Sequence, residues 1–362
     1  MSAFVPGLVL ARAFYEEGVA PLLGEVEHSA ALLGTGSDVL GFDTERSTDH
    51  GWGPRLQVFV GGSDVAGVRR AVERQLPDEF RGWPTRYGWD AVPVTHHVEV
   101  YELAGWLRDK LGFDPRARAS PKDWLTVPQQ FLLEVTAGGV FHDGLGELVP
   151  AREALAWYPD DVWLWLIACQ WRRIDQEEPF VGRTAEVGDE LGSRIVAAHL
   201  VRDVVRMCFL QERRYAPYSK WLGSAFRRLD AFGALGDPLL EILAAVDYET
   251  REAAIIEAVT KLAARHNALG ITAQVDESVG LFHDRPFRVL GSGRFVDACL
   301  ERVSDPWLRS LSLTGAIDQF VDSTDVLGKP DVFPRIGKVL EDAQAGPLKS
   351  IREVIDPPSR TN

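Results

Sequence analysis

A glycine–serine pair followed by a carboxylate is the feature of this sequence best suited to chemistry. Gly36 and Ser37 follow a short apolar segment, and Asp49 comes after eleven intervening residues. Backbone N–H groups at a glycine–serine turn that opens a helix can hold a phosphate, and the serine hydroxyl can add a hydrogen bond. Carboxylates beyond such a turn can bind Mg²⁺. The spacing therefore predicts a phosphate-binding site; a glycine-rich turn with a capping Asp is the structural alternative.

The elements around these residues alternate between strand and helix patterns. We predict strands where β-branched and apolar residues cluster, and helices where apolar residues recur every three to four positions. The predicted strands are residues 29–33, 55–60 and 96–103, and the predicted helices are residues 6–18 and 64–76. This alternation predicts an α/β domain over residues 1–115.

Beyond Pro115 the pattern changes to long apolar periodicities typical of a helical bundle. The predicted helices are residues 161–174, 190–213, 218–232, 238–246 and 251–269. The predicted fold class is thus α+β, with a helical domain over residues 116–356. Two consecutive prolines then stop any helix, so residues 357–362 are predicted to be a frayed tail.

The order of strand, Gly36-Ser37, carboxylate and second strand resembles the nucleotidyltransferase superfamily, which includes DNA polymerase β and kanamycin nucleotidyltransferase. The superfamily signature continues with Asp-x-Asp or Asp-x-Glu at the opening of a strand. Asp49 matches the first carboxylate, whereas Gly51 stands at the second position and has no side chain to bind a metal. Glu99, on the later strand, matches the place of a third acid. The resemblance implies Asp49 and Glu99 as catalytic, metal-binding residues and Mg²⁺ as the cofactor.

A closer resemblance, to the bacterial family catalogued as domain of unknown function 4037, extends over nearly the whole chain. It implies a nucleotidyltransferase-like N-terminal domain with a mixed sheet, followed by a helical bundle domain. Members typically have Asp-His-Asp where this chain has Asp49-His50-Gly51. The matching segments are GTGSDVLGFDTERSTDHGWGPRLQVFV, DVWLWLIACQWRRIDQEEPFVGRTAEVGDELGSRIVAAHLVRD, RRYAPYSKWLGSAFRRL, HNALGIT and HDRPFRVL.

Basic and aromatic residues of the helical half are candidates for binding a nucleotide. In transferases resembling kanamycin nucleotidyltransferase, the helical domain contributes such residues to the nucleotide pocket. Lys220 could neutralise triphosphate charge, and Tyr215 or Tyr218 could stack on a base. Arg183, in a polar glycine-rich passage, could line a cleft. The alternative is that the aromatic residues pack around Pro217 and that Lys220 is solvated.

The charge balance limits the partners that this protein can bind. Asp and Glu number 53 against 39 Lys and Arg, which gives a formal charge of −14 and argues against binding long nucleic acids. Residues 194–228 nevertheless carry eight basic and only two acidic side chains, so a small anion could bind locally.

The three cysteines and the N-terminal segment indicate the compartment. Cys169, Cys208 and Cys299 are odd in number and widely spaced, so we predict buried thiols in a reducing cytosol. The N-terminus has neither a basic region nor a long apolar run. We therefore predict a cytoplasmic protein without a signal peptide or membrane span.

Together these features predict Mg²⁺-dependent transfer of a nucleotidyl group from an NTP to a small-molecule or protein acceptor. The alternative prediction is a catalytically degenerate protein that binds a nucleotide or another ligand, because Gly51 replaces the second metal-binding carboxylate. The residues predicted to bind the nucleotide are Gly36, Ser37, Lys220, Tyr218 and Arg183.

Overall fold

A computed structural model of the chain describes residues 4–90 and 92–342. The predicted tail at residues 357–362 lies outside the described residues. The chain divides into two compact units, which we call unit 1 and unit 2. Unit 1 comprises the described residues up to Asp123, Val127–Tyr158 and Tyr215–Ala225, and unit 2 comprises Trp124–Thr126, Pro159–Arg214 and the described residues from Phe226 onward.

Unit 1 is built on a mixed five-stranded sheet. Its strands are ordered β5-β6-β2-β1-β7, with β2 and β6 parallel and the other neighbours antiparallel, and β3 and β4 form a separate pair. The strands are β1 (His28–Leu32), β2 (Arg55–Val60), β3 (Glu79–Phe80), β4 (Trp83–Pro84), β5 (Arg86–Trp89), β6 (Val92–Tyr101) and β7 (Gly139–Asp143).

Short helices surround this sheet. A six-residue π-helix, Phe14–Val19, joins α1 to α2, and a 3₁₀ helix, Glu45–Asp49, precedes β2. The helices are α1 (Gly7–Ala13), α2 (Ala20–Leu23), α3 (Val65–Gln75), α4 (Leu103–Leu111), α5 (Pro121–Thr126), α6 (Gln129–Thr136) and α7 (Leu148–Ala154).

Longer helices dominate the remaining described residues. All of them belong to unit 2 except α10, which contributes its residues up to Ala225 to unit 1. They are α8 (Asp160–Glu186), α9 (Glu190–Gln211), α10 (Ser219–Phe226), α11 (Phe232–Ala244), α12 (Tyr248–Ala268), α13 (Gly293–Arg302), α14 (Pro306–Ser310), α15 (Ile317–Phe320), α16 (Thr324–Leu327) and α17 (Phe333–Asp342). A short hairpin of β8 (Gly280–Leu281) and β9 (Arg288–Val289) precedes α13, and a 3₁₀ helix, Pro330–Val332, precedes α17.

One face of the sheet in unit 1 is apolar. Leu56 and Val58 on β2 and Val98 and Val100 on β6 are buried in one cluster with Val68 of α3. Because strand residues point alternately to the two faces, the residues between them lie on the opposite face. The apolar core thus leaves a second face of β2 and β6 for polar side chains.

The predicted α+β fold class is confirmed, and several element bounds are corrected. β2 spans the predicted residues 55–60, but β6 starts before residue 96 and ends at Tyr101, because Leu103 already begins α4. The helix predicted at residues 218–232 is wrong: α10 ends at Phe226 and α11 begins at Phe232. Between them, the Glu212 carboxylate accepts hydrogen bonds from the backbone N–H groups of Asp230 and Ala231, so this backbone is bonded outside a helix.

The domain boundary predicted after residue 115 stays a prediction. The compact unit that holds the sheet runs on to Tyr158 because β7 pairs with β1, and it also includes Tyr215–Ala225.

The predicted burial of the three thiols is confirmed. Cys169, Cys208 and Cys299 are all buried, and burial raises the pKa of the Cys208 and Cys299 thiols to about 12. Such thiols stay protonated at neutral pH and are poor nucleophiles. Within residues 4–90 and 92–342, no helix is both long and apolar enough to cross a membrane.

Candidate functional site

After β1 the chain enters a turn in which one position, residue 36, requires glycine. Gly36 has a φ of +141°, and a Cβ there would lie 2.2 Å from Asp38 Oδ1 and 2.3 Å from Arg55 Nη2. No helix opens at Ser37. Instead, the Phe42 N–H donates to the Ser37 carbonyl at 2.7 Å and closes a compact turn. The turn therefore lacks a helix N-terminus and encloses an ion pair.

That ion pair joins Asp38 to Arg55, the first residue of β2. Arg55 donates from Nε to Asp38 Oδ2 at 3.0 Å and from Nη2 to Asp38 Oδ1 at 2.7 Å, and Nη2 also donates to the Thr35 carbonyl at 2.7 Å. Asp38 is only 2% exposed. Burial opposes the charge of Arg55, but the adjacent carboxylate raises the pKa of the guanidinium above its ordinary value. A fixed positive charge thus lies directly behind the turn.

The parallel pairing of β2 and β6 extends this polar cluster. Arg55 lies opposite His97, and Gln57 lies opposite Glu99. We call these four residues the polar face. Gln57 accepts from the Leu33 N–H at 2.8 Å and donates to Glu99 Oε2 at 2.9 Å. Glu99 therefore lies beside an amide on β2 and not beside a second carboxylate.

Asp49 is not on a strand. It is the last residue of the 3₁₀ helix, is exposed, and precedes Gly51, whose φ is +64°. The prediction that this carboxylate opens a strand is wrong, because the chain turns at Gly51 before β2 begins. The Ser37 hydroxyl donates to the Ser47 hydroxyl at 3.3 Å, which joins the turn to the 3₁₀ helix that carries Asp49.

Aromatic residues form a slot beside Asp49. A cavity of about 170 Å³ is lined by Asp49 together with Trp83, Tyr87 and Trp89, and we call these three rings the aromatic slot. This slot was not predicted, although the clustering of Trp83, Tyr87 and Trp89 within seven positions, with Gly82 before them and Gly88 between them, is a sequence signal for it. Such aromatic clusters usually pack in a core, but these three rings line a cavity.

Tyr87 connects the aromatic slot with the polar face. Its hydroxyl is buried and has no hydrogen-bond partner among the described residues. Burial raises the pKa of Tyr87. The positive charge of Arg55 lowers that pKa, and the negative charge of Glu99 raises it. Its ring lies 4.2 Å from that of His97. The hydroxyl is thus a neutral, buried donor beside the polar face, without a partner in the part of the chain that the structure describes.

Lys220 and Tyr218 lie in the segment of unit 1 that contains α10. The Trp221 ring stacks on Phe42 at a centroid distance of 5.0 Å and an angle of 9°, which packs α10 against the turn after Gly36 and Ser37. Lys220 is exposed, with Nζ 5.1 Å from the Trp221 ring. Tyr218 is 41% exposed. Both side chains are accessible to a ligand.

Tyr215 has a packing role. It is buried, its hydroxyl donates to the Leu155 carbonyl at 2.9 Å, and its ring contacts those of Trp157 and Tyr158. For this tyrosine the structure supports the packing alternative, because its hydroxyl is occupied and its ring is enclosed.

Arg183 belongs to unit 2. It lies on α8 and lines a cavity of about 500 Å³ whose walls are all residues of unit 2. The structure therefore brings Gly36, Ser37, Lys220 and Tyr218 into one unit and places Arg183 in the wall of another cavity.

The side chains of unit 1 do not fit a two-magnesium site. Such a site needs several carboxylates that converge on the ions. Within the described ranges, no three of His, Cys, Asp and Glu are grouped to hold a metal ion. Asp38 is paired with Arg55, Glu99 accepts from Gln57, and Gly51 offers no ligand. Mg²⁺ stays an expectation from the superfamily resemblance.

Part of the chain matches a known protein family. Residues 124–222 match the model of the family described as domain of unknown function (DUF4037). Over this segment the predicted resemblance to DUF4037 is confirmed. The DUF4037 segment includes Arg183, Tyr218 and Lys220, and it contains α8 and α9 entirely.

One solved structure, described as a nucleotidyltransferase-like protein from Exiguobacterium sibiricum 255-15, also matches. The match covers 84% of this chain and 93% of that one, with 12% sequence identity and a TM-score of 0.34. No curated protein matches the chain.

Proposed function

We propose that unit 1 binds a nucleotide without transferring its nucleotidyl group. The observation that carries this proposal is the buried pair of Asp38 and Arg55 beside Gln57 and Glu99. Metal-dependent transfer requires several carboxylates that converge on the ions. In this cluster Asp38 is already neutralised by Arg55, and Glu99 is left as a single carboxylate beside an amide.

The aromatic slot would hold the base. Trp83, Tyr87 and Trp89 border an opening suited to a planar ring, and stacking of one base on an aromatic side chain contributes about 1–3 kcal/mol. The unpartnered Tyr87 hydroxyl would donate to a base nitrogen or carbonyl at the slot. The slot therefore supplies both stacking and one directional contact.

The phosphates would lie on the side of the turn. The Ser37 hydroxyl could donate to a phosphate oxygen, and the exposed Lys220 on α10 could add a charge-assisted contact. Asp49 lines the slot and would face the sugar or base rather than the phosphates, because a carboxylate without a metal repels them.

We expect isothermal titration to detect binding of at least one of ATP, GTP, CTP and UTP, with or without Mg²⁺. Replacing Trp89 by Ala removes one wall of the slot, so it should weaken that binding about tenfold. Trp106→Ala is the matched control, because Trp106 packs on Phe59 outside the slot. Absence of binding by all four nucleotides would contradict the proposal.

A second expectation concerns Gly51, the position where the family typically has Asp. The parent should release no pyrophosphate from any NTP in the presence of Mg²⁺, whereas Gly51→Asp should gain a measurable rate by adding a carboxylate near Asp49. The variant should fold, because a Cβ at Gly51 would approach Trp89 no closer than 3.5 Å and Asp tolerates positive φ at a cost of about 1 kcal/mol.

Gly51→Asn controls for the backbone strain, since Asn also adopts positive φ but brings no charge. Pyrophosphate release by the parent would show that the chain is a transferase and would sink the non-catalytic part of the proposal. Inactivity of both the parent and Gly51→Asp would assign the loss to the polar face as well as to Gly51.

A further inference from the structure

A second cavity lies within unit 2, and of the predicted nucleotide-binding residues only Arg183 lines it. It measures about 500 Å³, which is within the range of small-molecule sites. One wall is α8, and the other is the segment that contains β8, β9 and the start of α13. Its apolar lining includes Pro179, Phe180, Phe282, Val289 and Leu290.

A buried carboxyl group in this cavity lacks a partner for one of its oxygens. Glu178, on α8, is 4% exposed and lines the cavity. Its Oε1 accepts from the Leu290 N–H at 2.7 Å. The Gly291 N–H also faces the carboxyl group, but Oε2 is buried and accepts no hydrogen bond of ordinary length and angle from the described residues. An unmade hydrogen bond of this kind is costly, so the atom is suited to meet a ligand.

The arginines around the cavity differ in their pairing. Four arginines and two acidic residues line it. Three of the arginines are ion-paired: Arg172 with Asp175 at 3.2 Å, Arg285 with Glu186, and Arg294 with Asp276 at 3.7 Å. Arg183, in contrast, has no ion-pair or hydrogen-bond partner in the described part of the chain, and its guanidinium lies 5.6 Å from the centroid of the Phe180 ring. Arg183 is thus a cation whose hydrogen-bonding capacity is unused, next to an aromatic surface.

We infer that this cavity binds a small organic anion with a planar apolar body, its phosphate or carboxylate group on Arg183 and a polar atom on Glu178. The apolar wall would contact the planar body of the ligand, and Arg183 would bind its anionic group. The carboxyl oxygen of Glu178 would form the second polar contact. This site is independent of the nucleotide site proposed for unit 1.

Phenyl phosphate and phenylacetate are suitable probes, because they share the aromatic body and differ in the anionic group. We expect the full chain to bind at least one of them saturably in isothermal titration, and Arg183→Leu to weaken that binding about tenfold. Benzyl alcohol, which is neutral, and inorganic phosphate, which has no apolar body, should each bind at least about tenfold more weakly. Arg183 is half-buried, so the variant should fold, which circular dichroism would check.

Two control variants locate the site. Arg302→Leu removes an exposed arginine outside the cavity, and Trp89→Ala alters the aromatic slot of unit 1; both should bind the probe within about twofold of the parent. Failure of both probes to bind, equal binding by Arg183→Leu, or loss of binding in Trp89→Ala would overturn the inference.

A pH series tests the contact with Glu178. Burial raises the pKa of Glu178 to about 8, so the group is neutral at pH 7 and an anion at pH 9. The affinity of the parent for the probe should therefore fall about fivefold between pH 7 and pH 9, whereas the affinity of Glu178→Gln should stay nearly constant. Equal pH profiles would overturn the assignment of Glu178. The other charged or titratable side chains lining the cavity are Arg172, Asp175 and Arg183 on α8, His283 and Arg285 on the hairpin, and Arg294 on α13.

Discussion

Replacing Arg55 by Met is expected to lower the free energy of unfolding of unit 1 by about 3–5 kcal/mol. Asp38 is 2% exposed and receives two hydrogen bonds from Arg55, so the variant would leave a buried carboxylate without its counter-charge. The variant also removes the bond to the Thr35 carbonyl, which fixes the turn before Gly36. Removing one partner of a buried pair costs far more than the pair itself contributes.

A double-mutant cycle separates these effects. Asp38→Asn combined with Arg55→Met should recover much of the loss, because Asn removes the charge and still accepts from the Val39 N–H. Guanidinium denaturation, with hydrogen exchange of the β2 amides, assigns the change to unit 1. Arg46→Met, at an exposed arginine of the same unit, should change stability by less than about 0.5 kcal/mol. A loss below about 1 kcal/mol in Arg55→Met would contradict the predicted role.

Replacing Glu178 by Gln is expected to remove a pH dependence from the stability of unit 2. Burial raises the pKa of Glu178 from 4.5 to about 8, so between these values the native state holds a proton that the unfolded state has released. Stability therefore falls as the pH rises through this interval, by about 5 kcal/mol in full above pH 8. Gln stays neutral and keeps an oxygen for the Leu290 N–H, so Glu178→Gln should be the more stable protein at pH 9.

Urea denaturation of both proteins at pH 5, 7 and 9 measures the effect. Glu177→Gln, at the preceding position of α8, is the matched control, because Glu177 is only half-buried, and it should retain the pH dependence of the parent. An equal loss of stability in the parent and in Glu178→Gln between pH 5 and pH 9 would contradict this prediction, because it would mean that ionising Glu178 in the native state costs no free energy.

The two stability predictions bear differently on function. Arg55 is a fixed charge behind the proposed nucleotide site, so its loss should affect both folding and binding in unit 1. Glu178, in contrast, incurs a desolvation cost that a ligand donor or acceptor can offset. An apolar residue at position 178 would avoid this desolvation cost, so a buried carboxyl group there is consistent with a binding role in unit 2.

Much of unit 1 was predictable from local sequence. The cluster of β-branched and apolar residues at 55–60 predicted β2, and the pattern of residues 96–103 predicted the strand that carries Glu99. Gly36 was recognised as a turn residue. These features depend on the two-residue period of a strand and on the backbone freedom of glycine, and both act over a few neighbouring residues.

The composition of the candidate site was not predictable in the same way. Asp38 and Arg55 were passed over, although their pairing decides what the turn can bind, and the slot of Trp83, Tyr87 and Trp89 was missed. Asp49 was expected on a strand but ends a 3₁₀ helix. Each of these outcomes depends on contacts between segments that are far apart in sequence or on where a turn ends.

The sequence by itself thus determined strands β1, β2 and β6, the buried thiols and the helical character of the second half, because hydrophobic periodicity acts locally. Only the tertiary structure decided that a guanidinium paired with Asp38 and an amide share the polar face with Glu99, that Lys220 shares a unit with Ser37, and that Arg183 lines a cavity of its own. Charge pairing, burial and cavity formation arise from packing between distant segments, and they set which charges are neutralised and which are left for a ligand.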